Sequence, residues 1–212
     1  MTFAILKAIK RRQEGVFMDT STGFQSHYRC TRALTAALHA RDQYTRDHCD
    51  RVVDLSLQLS KAIGLSKQKT ALVEISARFH DIGKVGIPDS ILLKPARLTD
   101  SEWQVMKMHS TIGERIMRQT GLPGSSRVAR VIRHHHENFA GDGYPDALKG
   151  EAIPIQSRII LIVDAYDAMR STRPNRPARS HDQVMAIMES ENGWKFDPNL
   201  FKYFPAISER HA

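Results

Sequence analysis

The chain has 212 residues, of which 41% are hydrophobic and 25% charged, and its formal net charge is +8. These values fit one globular domain, with or without a short extension, and they exclude a disordered chain. The two cysteines, Cys30 and Cys49, form no CxxC pair, which excludes a zinc finger or a disulfide framework.

The longest apolar run, residues 159–163, is far shorter than the roughly 20 residues that cross a bilayer. The N-terminus is a poor match to a signal peptide, because its charges mostly follow a short apolar patch. We therefore expect a cytoplasmic protein without a membrane segment. The basic surplus favours an anionic partner. No helix-turn-helix, zinc finger or alternation of basic and aromatic residues supports nucleic acid as that partner.

Helical periodicity predominates along the chain and strand signals are nearly absent. Residues 1–40 predict a short helical or loop extension, and residues 41–212 the main domain. Thr45 predicts the cap of a helix that ends at Gly64, and Ser66 caps a second helix that runs to about His80.

The rest of the chain continues the helical pattern, interrupted by loops that contain glycine and proline. The predicted elements are a loop over residues 82–88, a helix over 99–112 opened by a Thr99–Glu102 capping box, a helix over 125–137, a loop over 139–154, an apolar helix over 155–169, a loop over 171–178, a helix after 180 and a turn at 196–198. The fold class is therefore all-α with one prominent glycine-rich loop.

Several histidines and aspartates on the predicted helices are candidate metal ligands. An adjacent His-Asp pair alone is weak evidence, and each histidine alone is more often a surface or core residue. Asp164 follows the most apolar run of the chain, where a carboxylate is costly unless it is paired or bound to a cation. The candidates are His48, His80, Asp81, His109, His135, His136 and Asp164.

This set of imidazoles and carboxylates is larger than a single four-coordinate site needs. Mixed nitrogen and oxygen donors suit Mn, Fe, Zn or Ni better than Ca or Mg. A pair of ions about 3.5–4 Å apart, sharing a carboxylate, is a common device for hydrolysing phosphoesters.

Other residues are candidates for binding a phosphorylated substrate. The loop Gly141-Asp-Gly-Tyr-Pro145 lets the backbone approach a ligand, and Tyr144 could stack on a base or donate to a phosphate. Arg173 and Arg176 could hold a phosphate through bidentate hydrogen bonds, and Lys84 could offset its charge. Taken singly, each is as well explained as a surface residue.

Taken together, these residues resemble the HD-GYP family, a branch of the HD-domain phosphohydrolases. The resemblance runs from about residue 41 to residue 204. The matching segments are His80-Asp-Ile-Gly-Lys84, Ile87 to Pro95, His135-His-Glu137, Gly143-Tyr-Pro145, Leu148-Lys-Gly150, Ile153-Pro154, Arg158-Ile159, Asp164-Ala-Tyr-Asp-Ala168, Arg173-Pro174 and Phe196-Asp-Pro198.

The resemblance implies an HD-domain helical bundle that hydrolyses cyclic di-GMP to the linear dinucleotide pGpG, to GMP, or to both, with iron or manganese. It implies two sets of ligands that share Asp81: His48, His80, Asp81 and Asp164 for one ion, and His109, His135 and His136 for the other. It also implies that Lys84 contacts the scissile phosphate, that Gly143, Tyr144 and Pro145 shape the substrate loop, and that Arg173 and Arg176 bind phosphate or guanine.

Some positions depart from the family pattern. Members with a third metal carry a carboxylate four residues before the first ligand histidine, where this chain has Tyr44, so we expect two metals. Ala140 stands where the family commonly has Asp, a change expected to loosen the glycine-rich loop. Residues 1–40 are too short for the sensory domain that members usually carry, so we expect a stand-alone enzyme or regulation by partners.

Alternatives remain at this point. The chain could be another HD-type hydrolase, acting on a nucleotide or a different cyclic dinucleotide. It could also be an inactive module that binds cyclic di-GMP or a diguanylate cyclase (GGDEF) partner.

Overall fold

The structure is a computed structural model that describes Ala36, residues 44–172 and residues 177–211. Most of the predicted extension over residues 1–40 lies outside the described residues. Arg173 and Arg176 lie outside them as well. No helix in the described ranges is both long and apolar enough to cross a membrane.

The described residues form ten α-helices and no β-strand, which confirms the all-α prediction. The helices are α1 (Tyr44–Ala62), α2 (Lys67–Phe79), α3 (Asp89–Leu92), α4 (Asp100–Lys107), α5 (His109–Gln119), α6 (Ser125–Arg133), α7 (Ile155–Arg170), α8 (His181–Ser190), α9 (Pro198–Phe201) and α10 (Phe204–Ser208). Short 3-10 helices cover Ile82–Gly86, Gly150–Ala152 and Glu209–His211.

Polar caps start several helices where the sequence predicts them. The Ser66 side chain accepts a hydrogen bond from the Lys69 N–H at the start of α2. Thr99 and Glu102 form the predicted capping box at the start of α4. Such caps satisfy N–H groups that have no partner inside the helix.

Two predicted helices end or break earlier than expected. In both cases the change determines where candidate ligand histidines lie. The predicted helix over residues 99–112 breaks at Met108, so His109 becomes the first residue of α5. The predicted helix over residues 125–137 ends at Arg133, and His135 and His136 lie in the turn that follows it. At this end the His134 N–H bonds to the Val131 carbonyl, which tightens the last turn and stops the helix.

The core is organised around α7. Its residues from Ile159 to Val163 are all at least 95% buried, which is the pattern of a helix covered on every side. They pack with apolar residues of α1, α2 and α8, among them Leu59, Val73 and Val184. Asp164 is the next residue of α7 after this buried run.

A second apolar cluster joins α2, α5 and α6 and contains Phe79, Met117 and Ile132. The 3-10 helix Ile82–Gly86 packs closely against α5 beside this cluster. A Cβ atom on Gly83 would lie 1.8 Å from the His109 carbonyl oxygen, so only glycine allows this approach. The close packing brings the end of α2 next to His109.

Candidate metal centre

All seven predicted metal ligands come together from separate elements. His48 lies on α1, His80 and Asp81 follow α2, His109 begins α5, His135 and His136 follow α6, and Asp164 lies on α7. Within two triads, the possible ligand atoms lie within 4.8 Å of one another: His48, His80 and Asp81 form the first, and His109, His135 and His136 the second.

Asp81 belongs to the first triad and also faces the second. Its Oδ2 atom lies 3.5 Å from His80 Nε2, and its Oδ1 atom lies 3.6 Å from His109 Nε2. One oxygen therefore faces each triad, which is the arrangement that a bridging carboxylate requires.

Backbone hydrogen bonds orient three of the imidazoles. The Nδ1–H groups of His80, His109 and His135 donate to the carbonyls of Ala77, Met106 and Ile132, at 2.7, 2.8 and 2.6 Å. A carbonyl oxygen can only accept, so Nδ1 carries the proton in each ring. The Nε2 lone pair of each neutral imidazole is left facing the cluster, as a metal ligand requires.

The chemistry of these lone pairs fits a divalent cation. His80 Nε2 is buried and has no hydrogen-bond partner. His109 Nε2 and His135 Nε2 lie 3.3 Å apart, and neither nitrogen carries a proton to share when both rings are neutral. Buried acceptors that face one another without a donor are costly, and a cation removes that cost.

Burial and neighbouring charges set the protonation of the cluster. Burial lowers the pKa of His109 and of His135, and it lowers the pKa of His136 to about 3. Burial alone would raise the pKa of Asp81, but the nearby Lys84 and histidines hold it well below its usual range. The second triad is therefore neutral at physiological pH, and Asp81 is ionised.

Asp164 and Asp167 both lie on α7, and both contact His48 of α1. Asp164 Oδ1 lies 3.2 Å from His48 Nε2 and 3.9 Å from His80 Nε2, so it faces the first triad. Asp167 Oδ2 accepts a hydrogen bond from the Nδ1–H group of His48 at 2.7 Å and also pairs with Arg51. Burial alone would lower the pKa of His48, but the bonds to both aspartates raise it to about 9.

The sequence-based analysis assigned no role to Asp167. The available signal was its spacing, because residues three apart on a helix share a face. Its contact with His48 is of the kind that holds a metal-ligating histidine in one tautomer and orientation.

Lys84 lies beside the Asp81 carboxylate. Its Nζ atom is 2.6 Å from Asp81 Oδ2, and the side chain is one-fifth exposed. The ammonium group therefore offsets negative charge where the cluster approaches solvent.

The glycine-rich loop is held against the histidine turn. The Tyr144 N–H donates to the His136 carbonyl, and the two rings lie 4.9 Å apart. A Cβ atom on Gly143 would lie 2.2 Å from the Asn138 nitrogen, so the loop can approach this closely only with glycine at that position. Pro145 follows Tyr144 directly.

Glu137 ties the far side of the same loop to the histidine turn. Its side chain is 1% exposed and accepts the Asp146 and Leu148 N–H groups at 2.7 and 3.1 Å. The sequence-based analysis quoted Glu137 only as part of a matching segment. Because Glu137 is next to His136 in the chain, it connects the turn that contains His135 and His136 to the glycine-rich loop.

A third group of possible ligands, His134, Glu137 and Asp146, is already occupied by hydrogen bonds. Asp146 receives two bonds of 2.6 Å from the Arg133 guanidinium and one from His134. The cationic Arg133 takes the place of a metal at this group.

The family comparison agrees with this architecture. The model of the HD domain family matches residues 31–200. The chain therefore belongs to the HD domain family of helical proteins, and its relatives place it in the HD-GYP branch.

Two curated relatives are each more than one third identical to this chain over the aligned residues. The cyclic di-GMP phosphodiesterase response regulator RpfG of Xanthomonas campestris pv. campestris is 38% identical over 165 residues, covering 78% of this chain and 44% of RpfG. A cyclic di-GMP phosphodiesterase of Vibrio cholerae is 37% identical over 211 residues, covering 91% of this chain and 43% of the relative. The chain thus spans less than half the length of these relatives.

Solved structures support the fold. The HDGYP protein Bd1817 of Bdellovibrio bacteriovorus superposes with a TM-score of 0.67 at 17% identity, covering 88% of this chain and 64% of Bd1817. A cyclic GMP-AMP-specific phosphodiesterase of V. cholerae gives a TM-score of 0.63 at 20% identity, covering 87% of this chain and 48% of that protein. At such identities the likeness concerns the helical architecture alone.

Proposed function

We propose that this chain is a metal-dependent phosphodiesterase that hydrolyses cyclic di-GMP to pGpG, to GMP, or to both. The observation that carries the proposal is the position of Asp81, which presents one carboxylate oxygen to each of two triads of possible ligands. Two adjacent sites that share a carboxylate suit the hydrolysis of a phosphodiester.

His48, His80, Asp81 and Asp164 would hold one divalent ion, and His109, His135 and His136 would hold the second together with Asp81. Such a pair of ions, once bound, supplies an activated water and neutralises charge on the phosphate. Neutral imidazoles combined with carboxylates favour iron or manganese over calcium or magnesium.

The chain's own side chains would bind and orient the substrate. The Lys84 ammonium is close enough to the cluster to pair with a phosphate oxygen and stabilise charge that develops there. Tyr144 borders the second triad, and Gly143, Tyr144 and Pro145 would shape the substrate loop. Arg173 and Arg176 would bind phosphate or guanine, which stays a prediction.

The relatives favour cyclic di-GMP over other cyclic dinucleotides. Those named as cyclic di-GMP phosphodiesterases reach 38% identity, whereas a 3'3'-cGAMP-specific phosphodiesterase of V. cholerae reaches 33%. The protein partner that we propose is a diguanylate cyclase, which makes the substrate, or another signalling protein. A cytoplasmic location, two rather than three metals, and the domain boundary at residue 40 stay predictions.

Turnover of purified protein tests the proposal. Protein loaded anaerobically with iron or manganese would be incubated with cyclic di-GMP, 3'3'-cGAMP and cyclic di-AMP, and the products separated by chromatography. We expect cyclic di-GMP to be cleaved fastest, and Asp81→Ala to lose at least about 100-fold in kcat, a loss within the range seen when groups acting on the reacting charge are removed.

Asp50→Ala is the matched control, because the Asp50 carboxylate is 63% exposed and pairs with Arg78 outside the cluster. A fully metal-loaded protein that binds cyclic di-GMP without cleaving it would overturn the proposed activity. That result would favour the non-catalytic binding module.

A further inference from the structure

Trp103 is a large aromatic residue that the fold leaves in contact with solvent. It lies on α4, a surface helix that has no buried residue, and it is 46% exposed. The capping box and the bond from Lys94 to Glu102 stabilise α4 through polar groups, and the indole is not part of the buried core. The stability of the core therefore does not explain this side chain.

Trp103 extends a row of rings that begins at the candidate metal centre. The His136 and Tyr144 rings are 4.9 Å apart with an interplanar angle of 30°, and the Tyr144 and Trp103 rings are 6.3 Å apart at 81°. The row leads from a half-buried histidine to an exposed indole. Because Trp103 meets Tyr144 edge to face, a flat ligand could still stack on the solvent-facing part of the indole.

A lysine accompanies this row. Lys107 lies one helical turn after Trp103 on the same side of α4, and its Nζ atom is 5.7 Å from the centre of the Tyr144 ring. No carboxylate among the described residues forms an ion pair with Lys107. Its charge is therefore available to an anion that lies beside the aromatic row.

We propose that Trp103 and Lys107 form an outer subsite that binds the nucleotide not being cleaved. The purine would stack on Trp103, and the phosphate away from the metal centre would pair with Lys107. This combination of an aromatic platform and a cation suits a nucleotide, since bases stack on aromatic side chains and ammonium groups pair with phosphates. The inference rests on the proposed function.

The test separates ligand binding from support of Tyr144. Metal-loaded Trp103→Ala, Trp103→Phe and Lys107→Gln proteins would be compared with the native protein on cyclic di-GMP. The Kd for cyclic di-GMP would be measured by calorimetry alongside kcat and KM. Bis(p-nitrophenyl) phosphate, which has no purine and no second phosphate, reports whether the centre and Tyr144 are intact.

Lys202→Gln is the matched control, because Lys202 also lies over a tyrosine, with Nζ 5.2 Å from the Tyr203 ring, in the turn between α9 and α10. From the energy of stacking one base, we expect Trp103→Ala to raise KM and Kd by about 10-fold, with kcat and the rate on the small phosphodiester nearly unchanged. Trp103→Phe should lose less, because it keeps a ring. Lys107→Gln should raise KM and weaken its dependence on salt.

The outcomes are distinct for the two proposals. If the native protein binds but does not cleave cyclic di-GMP, the proposed activity fails and the Kd values still decide the subsite. If it neither binds nor cleaves, both fail. An unchanged Kd in Trp103→Ala would overturn the subsite. If kcat also falls on both substrates, Trp103 acts as a support for Tyr144.

Discussion

At the scale of single residues, the centre depends on where each imidazole proton is held. His80, His109 and His135 each donate Nδ1–H to the carbonyl three residues earlier. His48 differs, because its Nδ1–H donates to the Asp167 carboxylate. Local backbone geometry thus orients three of the possible ligands, and a carboxylate on a distant helix orients the fourth.

Replacing Asp167 by Asn tests this difference. The amide can still accept a hydrogen bond from His48, but it lacks the charge that fixes the tautomer and makes Nε2 more basic. Loss of such a partner weakens metal affinity by about 10- to 100-fold. Metal titration of the chelator-stripped protein would measure it. Asp54→Asn is the control, since Asp54 is a 61% exposed residue of α1. An unchanged affinity in Asp167→Asn would contradict this role.

The shifted pKa values predict how the metal-free protein responds to pH. The pKa of His136 falls from 6.5 to about 3 on folding, so between these values the unfolded chain binds a proton that the folded chain does not. The free energy of unfolding should therefore decrease as pH falls through this window. His48, whose pKa rises to about 9, has the opposite effect above pH 6.5.

Thermal unfolding of metal-free protein between pH 4 and 9 should consequently give a Tm maximum near neutrality. His136→Asn should flatten the acid side, whereas substitution of the exposed His211 should not. A Tm that is constant from pH 6.5 to pH 4 in the native protein would contradict the protonation described for the cluster.

At the scale of elements, the close contact between the 3-10 helix and α5 sets the distance between Asp81 and His109. Gly83→Ala places a Cβ atom 1.8 Å from the His109 carbonyl oxygen, so the two elements must separate. We expect a loss of about 2 kcal/mol or more in the free energy of unfolding, comparable to overpacking in a core. Urea unfolding measures it.

Gly86→Ala is the control for this contact, because its added methyl meets only the flexible side chain of Ile112, at 3.2 Å. It should cost clearly less than Gly83→Ala. Equal and small losses for the two variants would show that the approach at Gly83 is not tight.

The anchoring of the glycine-rich loop gives another prediction. Glu137→Ala removes the acceptor for two loop N–H groups, those of Asp146 and Leu148. Both hydrogen bonds are partly buried, so losing their acceptor costs at most about 1–3 kcal/mol each, and the loop should become looser around Tyr144. Hydrogen exchange would show faster exchange of residues 144–148. Glu151→Ala, an exposed residue of the same loop, should leave this exchange unchanged.

Most helices could be predicted from the sequence because their signals are local. Ser66, the Thr99–Glu102 capping box and the apolar pattern of α7 mark the helices that the structure contains. The break at Met108 and the early end at Arg133 could not, because no glycine or proline marks either position. Backbone hydrogen bonds that tighten the last turn end both helices there.

At the scale of the whole molecule, the candidate site shows the same division. The histidines and aspartates of the predicted helices include all seven possible ligands, the resemblance to a known family divides them into two sets, and the fold brings them together around Asp81. Asp167 and Glu137 were missed as contacts because they act through His48 and through loop N–H groups on distant segments. The spacing of Asp164 and Asp167 puts both on one face of α7, but it does not identify His48, 119 residues before Asp167, as their partner.

The fold as a whole makes one centre from segments more than 100 residues apart. The apolar helix α7 carries Asp164 and Asp167 into contact with His48 of α1, while α5 and α6 supply the second triad. Because Asp81 faces both triads, loss of that carboxylate should weaken both of the proposed metal sites and not one.

The most direct measurement is the metal content of anaerobically loaded protein, determined by elemental analysis after removal of free metal. The account predicts about two iron or manganese ions per chain, and about one or fewer in Asp81→Ala protein that unfolds as cooperatively as the native protein. A native protein that retains less than about one ion per chain, or an Asp81→Ala variant that retains as much metal as the native protein, would contradict a dinuclear centre bridged by Asp81.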